Sequence, residues 1–375
     1  MSKKKQSIAI VGAGMGGVLL AIMLQRNGHR CTVFEQAPAL AKIGAGINVG
    51  PNSTRIFREL GLEQKMLAAG VQPRQKYSRE WDTGKFTFTV QVPELRDRYN
   101  GPFLAFHRGA LQEVLCTALN EGTIQFGKCL VGLTQTDDDV QLKFDDGTEI
   151  NADFVVGADG VHSKVREALF GVCPPDYHGL VSYRSLISTT ALRGMHVDDN
   201  TKWWAPDRYV LTYFTTEARD ELNLITGSPE AWTKVDLQPI VGDQAEMLMA
   251  FKGFHPDVQR VLEAASSILK WPMLERKPFT PWSKGRVVLM GDACHPTTPH
   301  MGQGAGMSFE DAVVLSRCFD EMQQHKHTDV FHSFERTRFD RTGRIQLESH
   351  ENKWTKSGMD SDWVYGYDAF TTPLK

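Results

Sequence analysis

Four glycines crowd into six residues, Gly12, Gly14, Gly16 and Gly17, between an apolar run at 8–11 and another at 18–25. In the spacing G-x-G-x-x-G the first glycine allows a tight turn, the second lets backbone approach a pyrophosphate, and the third lets helix and strand pack closely. The helix N-terminus then offers its free N–H groups to the phosphates. Glu35 stands 23 residues after Gly12, where a carboxylate can accept hydrogen bonds from both hydroxyls of a ribose and repel a 2′-phosphate. The pattern predicts a dinucleotide site and does not separate FAD from NAD. Two more acids follow apolar runs: Asp159 in Gly157-Ala158-Asp159-Gly160-Val161-His162-Ser163, and Asp292 in Gly291-Asp292-Ala293-Cys294-His295-Pro296. Both fall at the C-terminal end of an expected strand, the edge at which open α/β sheets bind ligands. Asp292 suits a ribityl hydroxyl, and Asp159 suits a second dinucleotide or braces its own turn.

To bring these residues to one edge the chain needs a parallel sheet. Residues 8–11, an apolar helix over 18–25 closed by Gly28, and a strand over 31–34 make one βαβ unit. There follow a helix from Pro51 stopped by Gly61, a helix over 108–119, a strand over 123–126 returning to the first sheet, and a hairpin region over 130–154 with turns at 137–139 and 145–147. A buried strand over 286–290 completes the set. Phe86, Phe88, Val90 and Val92 alternate with polar residues, and strand-like runs at 181–187, 209–215 and 222–226 lie in a stretch rich in Trp, Tyr and Thr. These predict a second, antiparallel unit. Helices over 305–322 and 330–354 come last. Without repeats or low-complexity linkers, the domains are expected to interleave. Residues 1–75, 103–175 and 280–320 form a discontinuous Rossmann-like α/β domain, 76–102 and 176–279 the antiparallel β-sheet domain, and 321–375 a C-terminal helical segment.

Composition narrows the function classes. Of 375 residues 41% are hydrophobic and 23% charged, the balance of a globular enzyme-sized chain. A net charge of -3, from 42 basic and 45 acidic residues, gathers neither nucleic acid nor an anionic bilayer, so neither is an expected partner. Six cysteines with no C-x-x-C and no zinc-like spacing fit a reducing cytoplasm and predict no metal. Cys294 is read as a small buried residue and not a nucleophile, and Asp137, Asp138 and Asp139 as a turn. Lys3, Lys4 and Lys5 before an uncharged run resemble the head of a signal peptide, but the glycines interrupt the run and no cleavage site follows.

The fingerprint with Glu35, the segment from Gly157 to Ser163, and Gly291-Asp292 leading through Pro299 to Gly302-Gln303-Gly304 resemble, in order, three motifs of the single-component FAD-dependent aromatic hydroxylases, the class A flavoprotein monooxygenases. The resemblance spans residue 8 to about 315. It is strongest toward the branch acting on 6-hydroxynicotinate, through Phe34-Glu35-Gln36-Ala37-Pro38, Gly44-Ala45-Gly46-Ile47, Lys202-Trp203-Trp204 and Trp363-Val364-Tyr365-Gly366-Tyr367-Asp368. Salicylate and 3-hydroxybenzoate hydroxylases are looser relatives. The resemblance implies FAD held at the fingerprint glycines, Glu35, Gln36, Arg108, Leu130 and Asp292, with the flavin ring beside Gly46, Ile47, Pro299 and the loop Gly302-Gln303-Gly304-Ala305. The helix after that loop would turn its N-terminal dipole toward flavin N1 and O2, where the reduced form carries negative charge. NADH or NADPH would donate hydride transiently without a Rossmann domain of its own, and Arg184 suits a cofactor phosphate or a carboxylate across the domain interface. O₂ would become a flavin C4a-hydroperoxide whose terminal oxygen passes to an electron-rich ring.

The substrate pocket is then expected between flavin and antiparallel sheet, with Asn48, Trp204, Tyr209, Tyr213 and His300 binding substrate and Asn48, Tyr209, Tyr213 and His300 as catalytic candidates. His300 binds a carboxylate, takes a ring hydroxyl's proton, or is structural. Tyr209 and Tyr213 share one strand face, to relay that proton or to pack, while the adjacent Trp203 and Trp204 must face opposite sides. Histidines stand in the 6-hydroxynicotinate branch where this sequence has Asn48 and Tyr209. Asparagine is no general base, and tyrosine's ordinary pKa is about 10 against about 6.5 for histidine. The expected substrate is a hydroxylated pyridine carboxylate of the hydroxynicotinate or hydroxypicolinate type, attacked with or without loss of CO₂ by a monomer or homodimer. Salicylate or a hydroxybenzoate is the alternative ring. A flavin oxidase or reductase without oxygen insertion, and a nucleotide-sensing regulator, are the alternative classes.

Overall fold

The computed structural model describes residues 6–40, 45–234, 236–322, 325–354 and 360–375; the basic opening Lys3, Lys4 and Lys5, and Gly44, lie outside them. Ser7–Val11 runs near the centre of a six-stranded sheet, parallel to Arg30–Glu35 on one side and to Phe154–Gly157 on the other. Val287–Leu289 extends the parallel set beyond Phe154–Gly157, Ile124–Phe126 extends it beyond Arg30–Glu35, and Ser283–Lys284 is an antiparallel edge. Val11 is in register with both Phe34 and Gly157. The turns after Val11, Gly157 and Leu289 therefore emerge along one edge, with Glu35 beside them. Ile8, Ile10, Val33, Val155, Val156, Val287, Val288 and Leu289 are buried, as strands covered on both faces must be.

The first helix spans Met15–Arg26 and so begins inside the glycine fingerprint, earlier than its apolar run predicts. The reason is close approach. A Cβ on Gly17 would lie 2.2 Å from the Gly12 carbonyl oxygen, and Gly12 itself holds φ +105° with its Cβ position 2.5 Å from the Ala158 carbonyl oxygen. Strand, turn and helix fit only without those side chains.

The second sheet has eight strands, in the order Ile240–Val241, Leu269–Glu275, Asp176–Ser188, Glu221–Pro229, Tyr209–Phe214, Asn200–Trp204, Gln75–Glu80 and Phe86–Gln91. It is antiparallel except where Gln75–Glu80 runs parallel to Asn200–Trp204. That polar strand, Gln-Lys-Tyr-Ser-Arg-Glu, carries no alternating pattern and escapes sequence reading. Helices Gln244–Ala250 and Pro256–Ala264 cover one face through Met247, Val258, Val261 and Leu262. Gly46–Val49 and Leu104–His107 form a two-stranded ribbon joined to the larger sheet where Gly46 N–H donates to Asn223 Oδ1 at 2.8 Å.

Helices Gly304–Glu321 and His327–His350 pack together around four buried charges. Arg338 meets Asp311 Oδ1 at 2.7 Å and Glu310 Oε2 at 2.8 Å; Arg341 forks onto both oxygens of Glu310 at 2.7 Å. Asp311 Oδ2 also accepts from Gly291 N–H at 2.9 Å and lies 2.6 Å from His295 Nε2, while Asn52 Nδ2 donates to Glu310 Oε1 at 2.8 Å. Every carboxylate oxygen thus has a donor, the condition on which buried charges are tolerated. Burial alone would lift both carboxyls; the Arg341 and Arg338 guanidiniums hold Glu310 below its usual range, and His295 and Arg338 bring Asp311 down to about 2. Their contribution to stability is complete above roughly pH 4, where the unfolded carboxyls ionise, and is lost as pH falls toward 2. Changing Arg338 to Met strips a donor from each carboxylate and is expected to cost about 3–5 kcal/mol. Urea unfolding at neutral pH reads it directly, and a loss below about 1 kcal/mol would contradict the assignment.

Candidate active site

A cleft runs along the sheet edge beneath the second sheet, lined by Gly14, Gly16, Gly17, Gly46, Ile47, Arg108, Asp292, Pro299, Gly302, Gly304 and Ala305, with Arg184 and Tyr213 on its far wall. The space between its walls, open mouth included, is about 1270 Å³. Nothing lies within 4 Å of a Cβ built on Gly14, and no side chain caps the N-terminus of Met15–Arg26, whose first N–H groups have no partner within the helix. Gly302, at φ +65°, delivers the chain into the N-terminus of the 18-residue helix Gly304–Glu321, a second set of free donors on the same cleft. Asp292 projects into the cleft, where surrounding protein pushes its carboxyl upward from the usual range. Two helix N-termini for phosphate and flavin, a cation at Arg108 and an acceptor at Asp292 fit an FAD molecule lying along the edge.

The expected cofactor residues do not all line that cleft. Glu35 spends one hydrogen bond per oxygen on its own strand end, from Ala13 N–H and Ala37 N–H at 2.9 Å each, and keeps further lone pairs for a ribose. Gln36 is exposed beside it. Leu130 is packed in the main core, and Gly12 lies beneath the turn. Gln303 lines the neighbouring cavity, its amide oxygen accepting from Asn52 Nδ2 at 3.0 Å. Asp159 takes the turn-bracing alternative: its carboxylate accepts from Ser163 Oγ at 2.5 Å, Lys164 N–H at 2.7 Å and Val165 N–H at 3.0 Å at the start of the helix Lys164–Phe170, and it does not line the cleft. Cys294 is buried as expected, and burial pushes its thiol well above the usual range. Sequence reading saw no base near it, yet His295 and Asp311 lie beside it. Asp311 is committed to Arg338, Gly291 and His295, leaving the neutral thiol with the Gly291 carbonyl at 3.4 Å.

At the flavin end the cleft adjoins a smaller cavity under the second sheet. Asn48, Leu211, Ile225, Pro299 and Gly302 line both. His300 is 6% exposed on the cavity wall. Its Nδ1 lies 2.8 Å from the Ser349 carbonyl oxygen, which only accepts, so Nδ1 carries the proton and Nε2 is a bare acceptor. Burial, reinforced by the Lys202 charge, lowers its pKa to about 3. In this tautomer Nε2 offers an acceptor and no proton, which suits a bond from a ring hydroxyl better than a carboxylate. Tyr209 packs edge-on against His300 with ring centroids 5.4 Å apart. Tyr213, on the same strand face, abuts Gly46 in the cleft. Burial drives both phenols far above their ordinary range, so both stay protonated. Trp204 is a correction: it packs behind Tyr209 and off the cavity lining, its Nε1 3.3 Å from Ser78 Oγ.

Two lysines were missed. Lys202 is 7% exposed, with Nζ 3.8 Å from the Trp204 ring centroid, 4.2 Å from that of Tyr209, and 3.0 Å from Asn352 Oδ1. Lys76 lies on the same wall, 4.4 Å over the Phe103 ring, its pKa lowered to about 8 by burial. The signal for Lys202 was present, since a residue two before Trp204 shares its strand face. Nothing marked Lys76, whose strand has no pattern.

Residues 5–201 and 256–345 match the family model described as FAD binding domain. The chain belongs to this FAD-binding family, and its fold and enzyme class are those of a flavin-dependent aromatic monooxygenase. It is 40% identical over 372 residues to the 6-hydroxynicotinate 3-monooxygenase of Bordetella bronchiseptica, covering 99% of this chain and 97% of that one. The enzyme of the same name from Pseudomonas fluorescens is 40% identical over 371 residues, 98% of this chain and 96% of its own. The structure of Klebsiella pneumoniae HpxO complexed with FAD and uric acid superimposes with a TM-score of 0.82 at 26% identity, covering 96% of this chain and 90% of that one. The expected family, reaction class and flavin cofactor hold. Among the described residues no helix is long and apolar enough to cross a membrane. Glu35→Ala is expected to lower the flavin-to-protein absorbance ratio after gel filtration severalfold; an unchanged ratio would remove Glu35 from the FAD site.

Proposed function

We propose that the enzyme hydroxylates a hydroxylated pyridine or benzene carboxylate, using NADH or NADPH and O₂. The observation that carries this reading is the junction at Asn48, Leu211, Ile225, Pro299 and Gly302, where the cofactor cleft meets a cavity offering both cations and a neutral imidazole. FAD, when bound, supplies the redox chemistry by taking hydride and activating O₂. The residues of this chain do the rest. Lys202 holds the ring's carboxylate, His300 Nε2 accepts a hydrogen bond from the ring hydroxyl, and that bond raises electron density on the ring carbons to be attacked. Asn48 Oδ1, buried and without a partner, orients the ring from the cleft side. Phe88, Val90, Phe103 and Met301 keep water out. Tyr209 and Tyr213, held neutral, shape the wall and carry no charge. Arg184 has no carboxylate within ion-pair distance among the described residues and lines the cleft, which favours a phosphate of the visiting nicotinamide nucleotide over an ion pair at the domain interface. Overall, substrate, O₂, NAD(P)H and a proton give hydroxylated product, NAD(P)⁺ and water.

In this reading residues 1–75, 103–175 and 280–320 bind FAD while 76–102 and 176–279 hold substrate. A reducing cytoplasm is supported by six cysteines that are all free thiols.

The test is a screen of hydroxypyridine and hydroxybenzene carboxylates for NADH consumption coupled to O₂ uptake, with product mass and released CO₂ determined for each hit. Substrate-dependent consumption with one oxygen gained is expected. Reduction of the flavin by substrate without nicotinamide would point instead to an oxidase. Lys76, the second cation of the lining, adds long-range attraction for the carboxylate held by Lys202, so affinity is expected to weaken modestly as pH rises through about 8, where Lys76 loses its proton; a flat profile from pH 7 to 9 would contradict that contribution.

A further inference from the structure

Cation count sets this cavity apart. Its lining holds Lys76 and Lys202 and, among the described residues, no aspartate or glutamate. Gln75–Glu80 and Asn200–Trp204 run in parallel with Tyr77 opposite Thr201 and Ser78 opposite Lys202. By alternation Lys76, Ser78, Asn200 and Lys202 share the face that forms the cavity wall, and all four line it. Lys76 thus stands about 8 Å from Lys202 between Cα atoms, one strand across and two residues along. The spacing gives two separate cationic positions and not one bifurcated site for a single carboxylate. Asn200, the neighbour of Lys76 across the ladder, is 2% exposed and its Nδ2 is buried without a partner. Lys76 meets an aromatic ring and, among the described residues, no carboxylate. Among the described residues, Lys76 is half-buried and faces no acid on this wall, while the buried Asn200 amide donor beside it lacks an acceptor, so an anion seated there would meet both.

We propose that the substrate is an aromatic dianion, a hydroxylated ring bearing two carboxylates, with Lys202 receiving one and Lys76 with Asn200 Nδ2 receiving the other. The proposal rests on the hydroxylase reading and specifies its substrate class. Binding a second carboxylate supplies the acceptors that Lys76 and Asn200 lack and leaves His300 Nε2 for the ring hydroxyl. A monocarboxylate satisfies Lys202 and leaves the Lys76 corner unmet.

The experiment uses the FAD-loaded full-length enzyme and matched pairs that differ by one carboxylate: 5-hydroxyisophthalate against 3-hydroxybenzoate, and 4-hydroxypyridine-2,6-dicarboxylate against 4-hydroxypicolinate. Affinity is read from perturbation of the flavin absorbance. Wild-type protein is expected to bind at least one dicarboxylate about 10–100-fold tighter than its monocarboxylate, the range for a charge-assisted hydrogen bond. Lys76→Met should erase that ratio and Lys76→Arg should keep most of it, with the flavin spectrum of each variant reporting an intact fold. Equal affinity for both members of each pair, unchanged in Lys76→Met, overturns the dianion while the hydroxylase reading stands. If no member of either pair perturbs the flavin, the aromatic-acid reading falls and the dianion with it.

Discussion

The pairing of Glu310 and Asp311 with Arg338 and Arg341 is the constraint on which the rest of the site depends. Two adjacent acids at the middle of one helix can be buried only if every oxygen is met, and meeting them draws in partners from far along the chain. Asp311 holds the Gly291 N–H and so fixes the turn that presents Asp292. Glu310 holds Asn52, which in turn holds Gln303 in the loop that opens the same helix. Arg341 reaches the Val364 carbonyl at 2.9 Å and ties in the C-terminal segment. Measured against apolar residues of the same volume the cluster adds little net stability, because desolvation offsets most of the attraction. What it supplies is position: the Gly291 turn and the Gly302 loop are registered against each other through one rigid helix.

From that registration the chemistry follows. The cleft needs donors where phosphate and reduced flavin carry charge, and two helix N-termini provide them. The cavity needs a dry wall, an acceptor for a ring hydroxyl and cations for carboxylate, and the second sheet and the Pro299–Met301 turn provide these from opposite sides. His300 shows how environment selects a role. Its bond to the Ser349 carbonyl fixes the tautomer and burial keeps it neutral, so a residue that sequence alone leaves open between carboxylate binding and proton acceptance becomes an acceptor.

Legibility in the sequence divides along physical lines. The parallel sheet and its edge were readable because strands covered on both faces are unbroken apolar runs, and because tight turns such as the one at Gly12 admit only glycine. Asp292 was readable from its place after such a run. Asp159 looked identical by that criterion, and only the geometry of Ser163, Lys164 and Val165 shows it capping its own helix. Lys76 was invisible, since the strand carrying it pairs in parallel with a segment more than 120 residues later and shows no alternation of its own. Trp204 was misplaced by one layer: its strand face was right, but Lys202 and Tyr209 stand between it and the cavity. Substrate specificity is written in such long-range juxtapositions, whereas the cofactor site is written in local motifs.

The most direct test of the account is the fate of molecular oxygen. Turnover of a hydroxyaromatic carboxylate under ¹⁸O₂ with NADH, followed by mass spectrometry of the ring product, is predicted to place one labelled oxygen atom on the ring. A ring product carrying no label, with all the ¹⁸O recovered as hydrogen peroxide or water, would contradict it.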